Sequence, residues 1–107
     1  MMAEISYDKK EFKKLCEKYL LSIVILHGSY AKGIGTEKSD IDIGFLGDPL
    51  IIKDKYFDII KDFSGIFGER FDPVFLNSKE AMITYQVALN GVPLYEKKKG
   101  LFVEFRL

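Results

Sequence analysis

Two aspartates separated by one residue, Asp40 and Asp42, are the side chains in this sequence best suited to chemistry. Residues two apart on a β-strand project from the same face. The two carboxylates would therefore lie side by side, while Ile41, Ile43 and Phe45 would point the other way into a core. Neighbouring carboxylates repel each other unless a cation lies between them, and hard oxygen ligands suit Mg²⁺ held jointly with substrate phosphates. The pair predicts a metal site.

A Gly-Ser pair, Gly28 and Ser29, precedes these aspartates by ten residues and follows the apolar segment 22–26. Backbone N–H groups at such a turn, at a predicted helix start, can bind an anion. Gly33 and Gly35 in the intervening loop permit close approach of the backbone to a ligand. The segment predicts a phosphate-binding turn facing a metal site. The competing interpretation is a glycine-rich turn that leads into a strand with exposed acids.

The motif GSYAKG followed by SDID resembles the signature of the nucleotidyltransferases of the DNA polymerase β superfamily. The short chain resembles the minimal nucleotidyltransferase (MNT) branch, and the resemblance covers roughly residues 22–96. Lys32 stands where those proteins often carry arginine. The segment 91–95, GVPLY, is similar to their Gly-x-x-Leu-Tyr ending.

The resemblance implies an α/β (α+β) fold, with a small mixed β-sheet covered by helices, as in polymerase β-like nucleotidyltransferases. It also implies that a third acid on a neighbouring strand completes the metal site, and Asp72 in the predicted strand 70–76 is the candidate. A surface carboxylate is the alternative for Asp72. Pro73 departs from the family pattern, because proline cannot donate a ladder hydrogen bond and belongs at a sheet edge or a bulge.

The activity implied by the resemblance is nucleotidyl transfer from ATP with two Mg²⁺ ions, which can stabilise both the attacking and the leaving oxygens. The ATP preference rests on the family alone. For Ser39, orienting the loop before Asp40 and touching a phosphate remain equal alternatives. The catalytic and metal-binding residues so implied are Asp40, Asp42 and Asp72. The nucleotide-binding residues so implied are Gly28, Ser29, Lys32 and Ser39.

Small stand-alone proteins of the MNT branch are often encoded beside HEPN-type helical RNase toxins, which they neutralise by binding and by transferring AMP to a tyrosine. The resemblance thus implies an antitoxin whose partner is such a toxin. Two alternatives stay open. One is a non-catalytic antitoxin that acts by occlusion, although three clustered acids without metal would cost stability. The other is a transferase acting on a small hydroxyl-bearing metabolite or drug, although no segment remains for an acceptor domain.

The composition predicts one ordinary globular domain, residues 1–107, because 48% of the residues are apolar. The single cysteine, Cys16, excludes an internal disulfide and fits a reducing compartment. The 16 acids balance the 16 bases, which disfavours strong general binding of nucleic acid. No apolar run reaches about 18 residues and no signal-peptide pattern is present, so we expect a cytoplasmic protein without a membrane segment.

Apolar spacing predicts two amphipathic helices. The first has its N-terminal cap at Asp8, with Glu11 at capping-box spacing. The second ends near Gly65 or Gly68. The predicted buried stripe of the first is Phe12, Leu15, Cys16, Tyr19 and Leu20. That of the second is Ile52, Tyr56, Ile59, Ile60, Phe63 and Phe67.

The remaining predictions concern the C-terminal third and one histidine. A third helix is expected over residues 79–90, capped by Asn77 or Ser78 and stopped by Gly91. Residues 97–100 are expected to form a solvated turn, and 101–107 either a strand or a short helix. His27, beside the Gly-Ser turn, either has a structural role or contacts the nucleotide.

Overall fold

A four-stranded mixed sheet forms the centre of the protein in a computed structural model that describes residues 5–76, 87 and 90–106. The strands follow the spatial order β3-β2-β1-β4. β1 is antiparallel to β2 and to β4, whereas β2 and β3 run parallel. Their bounds are β1 Leu21–His27, β2 Ile41–Gly47, β3 Phe71–Phe75 and β4 Val92–Glu96. The predicted mixed sheet covered by helices is confirmed.

Apolar side chains cover both faces of the central strands, which is why β1 is an almost continuous apolar run. On one face, Val24 and Phe45 belong to the larger core cluster, which includes the helical residues Phe12 and Phe63. On the other face, Ile23 and Ile25 join a second cluster; its other buried members are Leu76, Val87 and Phe102. The second cluster is smaller and leaves one end of its sheet face to polar residues.

The first helix, α1 Lys9–Lys18, begins as predicted, because the Asp8 carboxylate accepts hydrogen bonds from the backbone N–H groups of Lys10 and Glu11, both at 3.0 Å. The predicted stripe is buried from Phe12 to Tyr19. Leu20 is the exception: it lies beyond the helix end with φ of 51° and is 53% exposed. Its side chain therefore leaves the helical periodicity, and the prediction that it joins the stripe was wrong.

The predicted second helix is divided into α3 Pro49–Asp54 and α4 Tyr56–Phe67, with Lys55 between them at φ −106° and ψ 17°. Asp48 caps α3 through its carboxylate, and Pro49 occupies the first helical position. Four of the six predicted stripe residues are buried, namely Ile52, Ile59, Phe63 and Phe67. Tyr56, next to the break, is 40% exposed, contrary to the prediction. α4 ends at Gly68, one of the two predicted stops, with φ of 83°.

β3 is an edge strand, as the presence of Pro73 requires. The backbone N–H of Ile41 donates to the carbonyl of Arg70 at 2.7 Å. Because backbone groups of a strand alternate in direction, the groups of Asp72 also face β2, whereas Pro73 faces away from it. Proline therefore removes no ladder hydrogen bond, and the pairing of the strand stays regular.

The C-terminal segment contains an exposed turn at 97–99, as predicted, followed by α5 Leu101–Arg106. Of the two alternatives for residues 101–107, the helix is correct. The Glu96 carboxylate accepts a hydrogen bond from the backbone N–H of Phe102 at 2.8 Å, which fixes the start of α5. The predicted helix 79–90 lies outside the described residues, apart from Val87 and Asn90. No helix in the described part of the chain is long and apolar enough to cross a membrane.

Candidate active site

The sheet register brings three polar side chains into one row across three strands. Asp42 on β2 lies opposite His27 on β1 and beside Asp72 on β3. Directly paired residues on adjacent strands share a face, with their Cβ atoms about 5 Å apart. The row lies on the face of the second apolar cluster, at the end that this cluster does not cover. The predicted association of Asp72 with the Asp40–Asp42 strand therefore has a definite geometric basis.

Burial raises the pKa of the Asp42 carboxyl to about 6, and a hydrogen bond to Asp72 and the negative charges of Asp72 and Asp40 act in the same direction. A carboxyl group in this position binds its proton more tightly than it would in water, because burial and the neighbouring negative charges disfavour its ionised form. The two carboxyl groups therefore suit a cation, which would compensate their charges.

Asp40 lies at the rim of this group. It precedes β2, its side chain is exposed, and its charge is the weakest of the causes that raise the pKa of Asp42. Among the residues that the structure describes, no three acidic, histidine or cysteine side chains already converge as a metal would require. The structure brings Asp42 and Asp72 together and leaves Asp40 at their edge.

Gly28 packs directly against the Asp42 carboxylate. Its φ is 72°, and a Cβ atom at this position would lie 2.0 Å from Asp42 Oδ2. Both the backbone conformation and the lack of space therefore require glycine. Gly28 begins α2, a single turn that spans Gly28–Ala31 and carries Ser29, while Lys32 follows it with an exposed side chain. The predicted Gly-Ser turn and the predicted acids are thus in contact through Gly28 and Asp42.

The loop between α2 and β2 is held by its own polar groups. The hydroxyl of Tyr30 donates to the carbonyl of Thr36 at 2.6 Å, and the hydroxyl of Ser39 accepts from the backbone N–H of Thr36 at 3.0 Å. Of the two alternatives for Ser39, these contacts favour the orientation of the loop. Gly35 is needed within the loop itself, because a Cβ atom there would lie 2.8 Å from the Tyr30 ring.

His27 has a feature that the sequence did not predict. Its Nε2 atom is buried without a hydrogen-bond partner in the described part of the chain. Burial lowers the pKa of His27, and the charge of Asp72 acts against this change. A structural histidine is normally satisfied by hydrogen bonds. The two predicted alternatives for His27, a structural role and contact with the nucleotide, both stay predictions, and only the strand register could have placed its ring beside two acids.

The family assignment follows from a sequence match that covers most of the chain. The family described as polymerase beta, nucleotidyltransferase, matches residues 10–100. This chain belongs to that family. Among curated proteins, no sequence matches the chain significantly. The match includes the Gly-Ser turn and all three predicted acids of this nucleotidyltransferase domain, and the family predicted from the sequence is confirmed.

Solved structures share the fold of this nucleotidyltransferase domain at low sequence identity. A chain of a toxin–antitoxin complex with AMP-PNP is 23% identical, with a TM-score of 0.70 over 92% of this chain and 81% of that chain. A chain from the complex of a tri-AMPylated Shewanella oneidensis HEPN toxin with an MNT antitoxin is 21% identical. Its TM-score is 0.58, over 92% of this chain and 76% of that one. The similarity confirms the polymerase β-like fold.

Proposed function

We propose that this protein transfers AMP from ATP to a hydroxyl group, with tyrosine as the preferred acceptor, on a partner toxin of the HEPN type, and thereby acts as its antitoxin. The observation that carries this proposal is the pairing of Asp42 with Asp72 in register on parallel strands, against the glycine of the Gly-Ser turn. Two carboxylates held against each other destabilise the metal-free protein. A cation that the reaction uses would compensate the charges of both carboxylates.

The donor set fits divalent magnesium, since carboxylate oxygens are the ligands that Mg²⁺ prefers beside substrate phosphates. Asp42 and Asp72 would hold the ions together with Asp40. Two bound Mg²⁺ ions would supply Lewis-acid stabilisation of the attacking and leaving oxygens. Asp72 would accept the proton of the attacking hydroxyl. Gly28, Ser29 and Lys32 would bind the β- and γ-phosphates, and Ser39 would keep the loop before Asp40 in place.

The choice of partner is supported by the similar structures and by the acids themselves. One similar complex is described as containing AMP-PNP, and another as containing an AMPylated HEPN toxin with its MNT antitoxin. Action by occlusion alone would give no reason for an uncompensated acid pair. The raised pKa of Asp42 therefore favours a catalytic antitoxin over a purely occluding one. Cys16 is a buried thiol, which agrees with action in the cytoplasm.

The test is transfer of labelled AMP from ATP to a toxin of the HEPN type, the proposed partner, with modified tyrosines mapped by mass spectrometry. We expect Asp72→Asn to bind ATP with Mg²⁺ but to label the partner at least about 10²-fold more slowly, because it lacks a metal ligand and a proton acceptor. Asp54→Asn is the matched control, because Asp54 is exposed on α3, which follows the opposite end of β2.

Three other outcomes would contradict the proposal in different ways. Equal neutralisation of the partner by wild type and Asp72→Asn, with no added mass, would establish occlusion. Label on a small molecule but never on protein would establish a metabolite-modifying enzyme. An equal loss of rate in Asp72→Asn and Asp54→Asn would show that the acid pair has no special role.

A further inference from the structure

A groove runs along the surface between α1 and α4. It consists of two depressions of about 340 Å³ and about 330 Å³, which share Lys18 and Asp62 among their lining residues. Both helices bury their apolar side chains in the larger core cluster, whereas Asp42 and Asp72 lie on the other face of the sheet. The groove is therefore separated from the candidate active site by the sheet itself.

One end of the groove contains a glycine, Gly65, inside α4. Glycine is less favourable than alanine in a helix, because it loses more backbone freedom on folding. Gly65 does not have a positive φ, and a Cβ atom there would meet no atom of the described residues within 4 Å. Nothing in the described part of the chain therefore requires glycine at this position. Its effect is to leave a bare stretch of helix backbone, which another molecule can approach closely.

The other end of the groove contains Leu20, which follows α1. Its φ of 51° is a left-handed conformation that glycine or asparagine usually adopts after a helix, because a larger side chain is strained there. The leucine side chain is also 53% exposed. Strain and exposure are separate costs in free energy, and an apolar contact with another molecule would offset both.

The charges of the groove indicate what that molecule is. In a two-fold interface the same surface faces itself, so charges of both signs must be present on it. The described lining residues include equal numbers of bases and acids, namely Lys18, Lys55 and Lys61, and Glu11, Asp58 and Asp62. A polyanion such as nucleic acid would meet the acids as well as the bases. The surface is complementary to itself.

We propose that the groove between α1 and α4 is the interface of a two-fold dimer, in which the same surface of a second copy of this chain fills it. The two copies approach closely at Gly65, and the contact buries Leu20. This inference goes beyond the proposed function and does not depend on it. Because the groove and the acids lie on opposite faces of the sheet, the dimer leaves the acids of both copies accessible.

The experiment is sedimentation equilibrium of the full chain over a wide range of concentrations. Wild type should change from monomer to dimer as the concentration rises. Gly65→Gln fills the bare stretch of α4, and Leu20→Asn replaces the apolar side chain with one that tolerates the left-handed conformation. Each should weaken the dimer at least about 10-fold. Lys14→Gln, at an exposed position of α1 that is not among the described lining residues, is the control and should dimerise like wild type.

Thermal unfolding distinguishes an interface from a structural role. At a concentration at which all the proteins are monomeric, Gly65→Gln and Leu20→Asn should melt at the temperature of wild type or higher, because each removes a local cost. A fall of several degrees in either variant would show that the residue supports the fold, and would overturn the proposal.

A mixture of two charge variants tests the two-fold arrangement. Lys61→Glu gives the surface an excess of acids, and Asp58→Lys gives it an excess of bases. Each variant alone should dimerise more weakly than wild type, whereas a mixture of the two should form a heterodimer more tightly than either forms a homodimer. Equal affinities in the mixture and in the separate variants would contradict the arrangement.

The identity of the occupant is decided by wild type. A chain that remains monomeric at every concentration would overturn the proposal. Loss of toxin binding in Gly65→Gln would in that case assign the groove to the toxin instead. A dimer that Gly65→Gln and Leu20→Asn do not weaken would show that the copies meet through another surface, and would overturn the proposal as well.

Discussion

Two acidic sites of the molecule have opposite electrostatic environments. Asp62 on α4 accepts hydrogen bonds from the Tyr19 hydroxyl and, at 3.3 Å, from the Lys18 ammonium. The hydroxyl of Tyr19 is the main cause that lowers the pKa of Asp62. Asp42, in contrast, faces another carboxylate, and its pKa is raised to about 6.

The surroundings of Asp62 stabilise its ionised form, whereas the surroundings of Asp42 disfavour it. Asp62 has donors from Lys18 in α1 and from Tyr19 directly after it, so its charge links α4 to the end of α1. Asp42 faces a second acid, and burial together with the neighbouring negative charges disfavours its ionised form. A cation would compensate this charge. An acid whose environment opposes its charge is a stronger indication of a functional site than acidity alone.

The largest expected effect concerns metal and nucleotide at the Asp42 site. Wild type should be stabilised by Mg²⁺ or Mn²⁺ with ATP, by about 2.7 kcal/mol at a ligand concentration of 100 times Kd. The double variant Asp40→Asn with Asp42→Asn should lose this gain and remain folded. The measurement is the shift in melting temperature for each protein with and without ligand. Equal shifts in wild type and in the double variant would show that these acids are not ligands.

The second prediction concerns the same acid without ligand, where its pH dependence has a definite sign. The pKa of Asp42 is raised from 3.8 to about 6 in the folded state, so the folded protein binds this proton more tightly than the unfolded chain does. The resulting stabilisation is fully present at a pH below 3.8 and is lost as the pH rises through about 6. Asp42→Asn should therefore be more stable than wild type above pH 6, by about 1 kcal/mol after solvent screening. The difference should vanish near pH 4 in urea unfolding with EDTA. Destabilisation of the variant at pH 8 would contradict the interpretation of an uncompensated acid.

Asp62 should behave in the opposite way, with a smaller effect. The pKa of Asp62 is lowered on folding, so its ionised form stabilises the folded protein at a pH above the pKa of the unfolded chain. This contribution is lost as the pH falls through the pKa of the folded protein. Asp62→Asn should cost somewhat less than about 1 kcal/mol at pH 7, because the acid is partly exposed. The cost should disappear at low pH. Asp58→Asn, at an exposed position on the same helix, is the control, and an equal cost in both variants would remove the contrast between the two sites.

The smallest expected effect concerns Lys32, whose side chain is exposed. Lys32→Ala should weaken ATP binding by roughly a few-fold, because a solvated lysine contributes little to a charge contact. AMP binding should stay the same, since the proposed contacts are to the β- and γ-phosphates. Unchanged affinity for both nucleotides in calorimetry would show that this lysine lies outside the nucleotide site.

Local patterns in the sequence determined the elements and the motif. The spacing of Phe12, Leu15 and Cys16 specified the buried side of α1, and Asp8 specified its start, because these effects act within one or two turns. Asp40 and Asp42 identified a strand that could hold a metal ion, and the Gly-Ser turn identified the neighbouring segment that could bind a phosphate. What local spacing did not reveal was the break at Lys55, since the buried positions of α3 and α4 keep nearly the same periodicity across it.

Only the tertiary structure decided how the parts of the site meet. The parallel register that sets Asp72 beside Asp42 joins segments thirty residues apart, and the sequence suggested it only through resemblance. The contact of Gly28 with Asp42 and the position of His27 beside the two acids likewise arise from strand pairing. Periodicity specifies which face of a strand a residue occupies. The neighbour that it meets there depends on register, which the packing of the whole sheet fixes.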